Sequence, residues 1–187
     1  MTRPLRLLVR DTRAAAAAEL ALILPLMLII LFGSIELGNY FMNEHRLVKA
    51  VRDGARFAAR QSFANYTACS GSLPTPSTPD SAYENTKLIV RKGTLDSSAS
   101  DVLPNWGAAG ASFSATISCT STVGTEEMLG IYRSRFGSTC NGSTSNGCAQ
   151  VITVSATLPY QPVLSAFGFT GVGFRLNATS EAAVAGL

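Results

Sequence analysis

One apolar stretch, from Ala14 to Ile35, limits what this chain can fold into more than any other feature of its sequence. Its 22 residues include only two clearly polar side chains, Glu19 and Ser34. As a helix that rises about 1.5 Å per residue, such a stretch is roughly 33 Å long, which is enough to cross the hydrocarbon core of a bilayer. The sequence holds no second stretch of this kind, so it predicts a single pass across a membrane.

The helical pattern continues beyond the apolar stretch. From Leu37 to Ala59, apolar and small residues recur every three or four positions, and most basic residues fall on other faces. We therefore predict one long helix from about Ala14 to Ser62, with an amphipathic outer half. Three small residues on that half allow close packing, either by the protein's own sheet or by another partner: Gly54, Ala55 and Ala58.

The remaining sequence predicts a small antiparallel sheet. Alternation of apolar and polar residues indicates strands in "ASFSATISCTS", "QVITVSATLPY" and "VGFRLNATSEAAV". A short helix ending at Gly93 is predicted in "AYENTKLIVRKGTL", a helical turn in "TEEMLGIYRSRF", and loops over residues 66–83 and in "STCNGSTSNGC". The predicted fold class is α+β, with one long N-terminal helix packed on three or four antiparallel strands.

Basic residues flank the apolar stretch. Residues 1–13 hold four arginines and one aspartate, and residues 45–60 hold five basic side chains and one aspartate. Residues 61–187 hold six basic and seven acidic side chains, so this part is nearly neutral. Such flanks suit the anionic headgroups of a membrane. Nucleic acid is not an expected partner, because the folded part has no basic stripe interleaved with aromatic residues.

All four cysteines follow the apolar stretch. Their number is even, no Cys-x-x-Cys occurs, and the one histidine, His45, lies far upstream, so the pattern favours two disulfides over a zinc site. Four cysteines allow three pairings. We favour the pairing that closes the short loop "CNGSTSNGC" and joins the other two residues: Cys140 with Cys148, and Cys69 with Cys119.

The disulfides also bear on orientation. The basic residues on the two sides of the apolar stretch nearly balance, so the positive-inside rule does not decide it. An oxidising compartment on the far side and a short N-terminal flank place the N-terminus in the cytoplasm. We expect a cytoplasmic basic leader over residues 1–14, a long helix over 15–62 that spans the inner membrane to about residue 36, and an extracytoplasmic domain over 63–187.

Glu19 is the unexpected residue of the apolar stretch. A carboxylate inside a membrane costs about 2.5–3.5 kcal/mol by insertion measurements, and such residues are usually paired and functional. If Ala14 marks the membrane edge, Glu19 lies about 7 Å inside, so its side chain could also reach the interface unaided. Geometry alone leaves both interpretations open.

The surrounding string resembles the processing region of type IV pilin-like proteins, and more closely the N-terminal region of TadE-like proteins of tight-adherence (Tad) pili. The resemblance lies in an A-x-E-L-A-L-I-L-P opening at Ala17–Pro25, in F-G-x-I-E-L-G at Phe32–Gly38, and in "AVRDGARFAA" at Ala50–Ala59. The C-terminal "LPYQPVLSAFGF" also resembles these proteins. Two positions depart from the pattern: Ala14 stands where glycine is commoner, and Leu20 replaces an aromatic residue.

The resemblance implies roles for individual residues. A prepilin peptidase would cut between Ala14 and Ala15, which would make Glu19 the fifth residue of the mature chain. Glu19 would then pair with the new α-amino group, on its own or a neighbouring subunit.

Glu36 lies at the outer membrane face, where it could be hydrated or could pair with a basic residue of the next subunit.

The implied function is structural: a minor pilin, pseudopilin or assembly subunit of a Tad-type pilus. Its partners would be other pilin-like subunits, the Tad secretion and assembly machinery, and the peptidase if the chain is processed. The alternative is a permanently anchored periplasmic binding or scaffolding module that never enters a filament. No catalytic residues, cofactor or metal site are expected, since the sequence has no nucleotide-binding glycine motif and no convincing ligand spacing.

Overall fold

The computed structural model describes residues 12–62, 65–66, 70–73, 81–120, 122–123, 126–127, 149–165, 168 and 173–185. Within these residues, the chain forms two helices and six strands. In chain order they are α1 (Thr12–Ala59), β1 (Ser70–Ser72), α2 (Ala82–Lys92), β2 (Ser112–Thr120), β3 (Thr122–Val123), β4 (Glu126–Glu127), β5 (Ala149–Pro159) and β6 (Arg175–Ala183).

Helix α1 has 48 residues and continues through Pro25. Its C-terminal part buries side chains at three- and four-residue spacing, as expected for a helix that covers a sheet with one face. Its N-terminal part buries none before Glu36 among the side chains described from residue 15 on. The prediction of one long helix with an amphipathic outer half is confirmed, and the buried residues are Glu36, Leu47, Ala50, Val51, Gly54, Ala55, Ala58 and Ala59.

Four strands form one antiparallel sheet in the order β1-β2-β5-β6, and β3 pairs with β4 as a separate two-stranded ribbon. In β5 the register places Val154 between Ala115 of β2 and Ser180 of β6. One face of the sheet is apolar and lies under the helices. The opposite face carries serine and threonine side chains, with Ser114 and Ser155 hydrogen-bonded across the strands at 2.8 Å.

The helices form the second layer of the fold. Helix α1 packs on β5 and β6, and α2 packs on α1 and β2. Ser81 caps the start of α2 by accepting a hydrogen bond from the Glu84 N–H at 3.1 Å, and Gly93 ends the helix in a left-handed conformation, φ 72°. Glycine tolerates that conformation without a steric penalty, so the predicted end of α2 is confirmed with its physical reason.

One local interpretation is wrong. Residues 66–83 were expected to be loop before α2, but Ser70–Ser72 pair with Thr116–Ser118 as an edge strand. A three-residue strand of serine and glycine has no apolar alternation, so its pairing depends on the neighbouring strand. In "TEEMLGIYRSRF", whose pattern is ambiguous between helix and strand, Glu126–Glu127 form β4, and the helical turn stays a prediction for the residues that follow. The rest of that segment and "STCNGSTSNGC" lie outside the described residues.

Candidate functional site: the apolar helix and its junction with the outer domain

The first half of α1 is an apolar surface that the described part of the outer domain does not cover. Leu22 is 79% exposed, and the exposed residues occur on all sides of the helix. Soluble monomers rarely expose contiguous apolar patches larger than a few hundred Å². Within the described residues, this is the one helix long and apolar enough to cross a membrane, which makes it a candidate span compatible with single-pass anchoring.

Glu19 lies on this uncovered surface. Its side chain is exposed, and among the described residues no ion pair includes it. It follows Ala15 by four positions, which is about one helical turn, so the two residues lie on the same face of α1. An α-amino group created at Ala15 would therefore start within one turn of the Glu19 carboxylate. The cut between Ala14 and Ala15 stays a prediction, as does the pairing of Glu19.

Glu36 marks the place where the apolar half meets the outer domain. It is buried, with 9% of its surface exposed, and its carboxylate accepts hydrogen bonds from three groups of the segment after β5. The donors are the Tyr160 hydroxyl, the Val163 N–H at 3.2 Å and the Leu164 N–H at 3.0 Å. Hydrogen bonds to an ionised acceptor are roughly twice as strong as neutral ones, so this carboxylate fastens the loop to the helix.

Aromatic and amide side chains complete the junction. Asn39 donates to the Tyr160 hydroxyl at 2.8 Å, and the Tyr40 hydroxyl donates to the Arg175 carbonyl at 3.2 Å. The rings of Tyr40 and Tyr160 meet edge to face, with centroids 5.2 Å apart. Burial and the hydrogen bond with Glu36 raise the pKa of Tyr160 to about 12, so its hydroxyl keeps its proton at neutral pH. The helix, the end of β5 and the start of β6 are therefore joined at one point.

A second set of contacts holds the other end of α1. The last carbonyls of a helix have no partners within it. Here the Tyr66 hydroxyl donates to the Ala58 carbonyl at 2.5 Å, and the Ala185 N–H donates to the Ala59 carbonyl at 2.8 Å. The side-chain amide of Gln150, which is fully buried, donates to the Tyr66 carbonyl. The outer half of α1 is thus fixed to the sheet at both ends.

These contacts give Glu36 a role that sequence reasoning missed. We considered a hydrated carboxylate or one paired with the next subunit, whereas the described hydrogen bonds of Glu36 lie within its own chain. Pairing with another subunit stays a prediction, and it would have to compete with these bonds. The available signal was a second acidic residue at the end of the apolar stretch, together with "LPYQPVL", whose tyrosine and turn supply the donors.

Of the four cysteines, only Cys119 lies among the described residues. Cys119 lies near the end of β2 and is disulfide-bonded rather than free. The other three predicted partners lie outside the described residues: Cys69, Cys140 and Cys148. Their pairing therefore stays a prediction. Across the described residues, no group of three or more His, Cys, Asp or Glu side chains is placed to hold a metal ion.

Helix α1 and the outer domain together define a class of protein, a small domain carried on a candidate membrane anchor. One helix leaves half of its length uncovered as a candidate membrane span and holds a small α+β domain with the other half. The family model described as TadE-like protein matches residues 14–56, which run from the predicted cut site almost to the end of α1. The resemblance seen in the sequence is thereby confirmed, and the family implies a role in Tad pilus assembly. No curated protein and no solved structure matches the chain.

Proposed function

We propose that this protein is a minor pilin, pseudopilin or assembly subunit of a Tad-type pilus, anchored in the inner membrane with its outer domain in the periplasm. The observation that carries the proposal is the uncovered apolar half of α1, which continues without a break into the half that the sheet holds. A helix exposed on all sides can be surrounded first by lipid and then by other helices.

The mechanism is packing rather than chemistry. In the membrane, lipid chains cover the apolar half of α1. During assembly, the helix leaves the bilayer and enters a bundle of similar helices, where van der Waals packing replaces the lipid contacts. The outer domain moves with it as one piece, because Glu36 at one end and Tyr66 at the other fasten α1 to the sheet.

Glu19 sets the axial position of the helix in that bundle. A carboxylate moved among apolar side chains carries a large desolvation penalty, and an adjacent positive charge offsets it. The α-amino group of Ala15 in the processed chain is the proposed partner, on the same or a neighbouring subunit. Removal of residues 1–14 takes away four arginines and one aspartate, so the formal charge changes from +3 to 0.

One observation favours the alternative, a permanently anchored periplasmic binding or scaffolding module. Helix α1 is described from Thr12 on, so the bond between Ala14 and Ala15 lies in a helical turn. A peptidase needs that turn to open before it can reach the bond, although helix ends fray readily. In the uncleaved protein, the basic residues before Ala14 would stay as a cytoplasmic anchor.

The two functions are separated by intact mass spectrometry of the protein taken both from sheared pili and from membranes. We expect a chain that begins at Ala15 and is present in the pilus fraction. A full-length N-terminus together with absence from pili would support the alternative. Because each disulfide removes two hydrogens, the same spectra before and after reduction count the disulfides.

A substitution tests the role of Glu19. In cells that make the pilus, Glu19→Ala should leave the amount of membrane-bound protein unchanged and strongly reduce its incorporation into pili. Glu84→Ala is the matched control, because it removes an exposed carboxylate from α2 of the outer domain. Normal incorporation of the Glu19→Ala protein would contradict the proposed charge pairing.

A further inference from the structure

The depth of one loop relative to the membrane follows from the junction. The apolar stretch ends at Ile35, so Glu36 lies at the outer limit of the hydrocarbon core if the stretch spans it. The N–H groups of Val163 and Leu164 donate to the Glu36 carboxylate. This loop therefore lies at the same depth as Glu36, beside the helix and at the boundary between lipid and water.

At that depth, the outer domain presents apolar side chains to its surroundings. Val163 is 61% exposed and Phe174 is 63% exposed. Phe174 is tied to the same level, because its carbonyl accepts a hydrogen bond from the Tyr160 N–H at 3.0 Å. Leu37 and Phe41, one turn apart on α1, are also more than half exposed. We call these four residues the membrane-facing patch.

The residues around the patch have the chemistry of a lipid–water interface. Tyr40 lies in edge-to-face contact with both Phe41 and Tyr160, so an aromatic cluster runs beside the patch. Tyrosine is enriched at membrane interfaces, where its ring lies among the acyl chains and its hydroxyl reaches polar groups. Arg175, next to Phe174, is exposed and carries a charge that suits anionic headgroups.

We propose that the membrane-facing patch inserts into the outer surface of the bilayer, so that the outer domain rests on the membrane instead of standing away from it. This inference rests on the proposed membrane anchoring of α1. The occupant of the patch is lipid, because Leu37 and Phe41 continue the exposed apolar surface of the span along α1, and hydrogen bonds hold the loop of Val163 at the depth of Glu36, where the span ends. Assembly into a filament then requires this end of the domain to leave the lipid together with the helix.

Depth-dependent fluorescence quenching tests the inference on the full chain in vesicles of phosphatidylcholine and phosphatidylglycerol. The native tryptophan, Trp106, is first replaced by phenylalanine, which keeps an aromatic ring and removes an indole N–H that has no hydrogen-bond partner among the described residues. Single tryptophans are then introduced as Val163→Trp and Phe174→Trp. The control is Ala185→Trp, an exposed site at the opposite end of the outer half of α1.

Lipids brominated near the headgroup end of the acyl chain should quench the two patch tryptophans at least about threefold more than the tryptophan at position 185. Leu28→Trp in the span reports on anchoring itself. Quenching at position 28, with no more quenching at the patch than at position 185, would overturn the inference and leave the anchoring intact. Absence of quenching at position 28 would overturn the anchoring and, with it, the inference. Blue-shifted but unquenched patch tryptophans would show that protein, not lipid, covers the patch, which also overturns the inference.

Discussion

At the scale of single residues, the two acidic side chains of the apolar stretch have different surroundings. Glu36 is enclosed by donors from its own chain, whereas Glu19 is exposed, with no ion pair among the described residues. A buried carboxylate with three hydrogen bonds contributes to the stability of one chain. On the proposed membrane span, a carboxylate that has no such partners needs a partner from outside its own chain. We therefore propose a structural role for Glu36 and a role in assembly for Glu19.

Glu36→Ala should destabilise the outer domain by about 1–3 kcal/mol, because it leaves the buried N–H group of Leu164 and the part-buried N–H group of Val163 without their acceptor. Thermal unfolding of the full chain in detergent measures this. Glu84→Ala, whose exposed side chain makes a 3.6 Å ion pair with Lys87, should change the stability by less than about 0.5 kcal/mol. Equal stability of the Glu36→Ala and Glu84→Ala proteins would show that the junction is not held by this carboxylate.

Ionisation of Tyr160 sets the high-pH limit for the stability of the junction. Burial and the Glu36 hydrogen bond raise the pKa of this hydroxyl from 10.0 to about 12 in the folded chain. The folded state therefore favours the protonated form. The contribution of the Tyr160 hydroxyl to stability is complete below pH 10 and is lost as the pH rises through the pKa of this hydroxyl in the folded state. In a titration of tyrosinate absorbance, the difference between the wild type and Tyr160→Phe should appear near pH 12. A difference centred near pH 10 would contradict the enclosed position of the hydroxyl.

At the scale of elements, the contact between α1 and α2 depends on one glycine. A Cβ atom added at Gly54 would overlap with the Cγ2 atom of Val90. Valine cannot easily avoid such an atom, since its branched side chain has one strongly preferred rotamer in a helix. The absence of a side chain at position 54 thus lets the two helices approach closely and bury Val90.

Gly54→Ala should consequently destabilise the outer domain by about 1–3 kcal/mol, even though alanine favours a helix by about 1 kcal/mol. Gly38→Ala is the matched control, because a Cβ atom there meets no atom of the described residues within 4 Å, so the helix preference alone acts and stability should not fall. Adding Val90→Ala to Gly54→Ala should relieve the overlap, although it also removes buried apolar atoms. A double-mutant cycle by denaturant unfolding with no coupling between positions 54 and 90 would contradict the close contact.

At the scale of the whole molecule, residue patterns predicted the elements better than they predicted the contacts between them. The period of the apolar residues indicated α1, and the alternation in β5 indicated the strand that places Ile152 and Val154 in the core. The Glu36 junction could not be derived in this way, because its partners are two backbone N–H groups and a hydroxyl more than 120 positions away. Backbone donors leave no mark in a sequence. Strand β1 could not be predicted either, because its serine and glycine residues show no apolar alternation and the strand is held by backbone pairing with β2.

The central claim is that the uncovered half of α1 lies in a membrane and carries the outer domain there. Alkaline carbonate extraction of membranes from cells that express the full chain tests it most directly. The account predicts that the protein stays in the membrane pellet, and that replacing Leu24 and Leu28 by arginine, at about 2.5–3.5 kcal/mol each, moves it toward the soluble fraction. Recovery of the wild-type chain as a folded, soluble monomer, free of membranes and of pili, would contradict it.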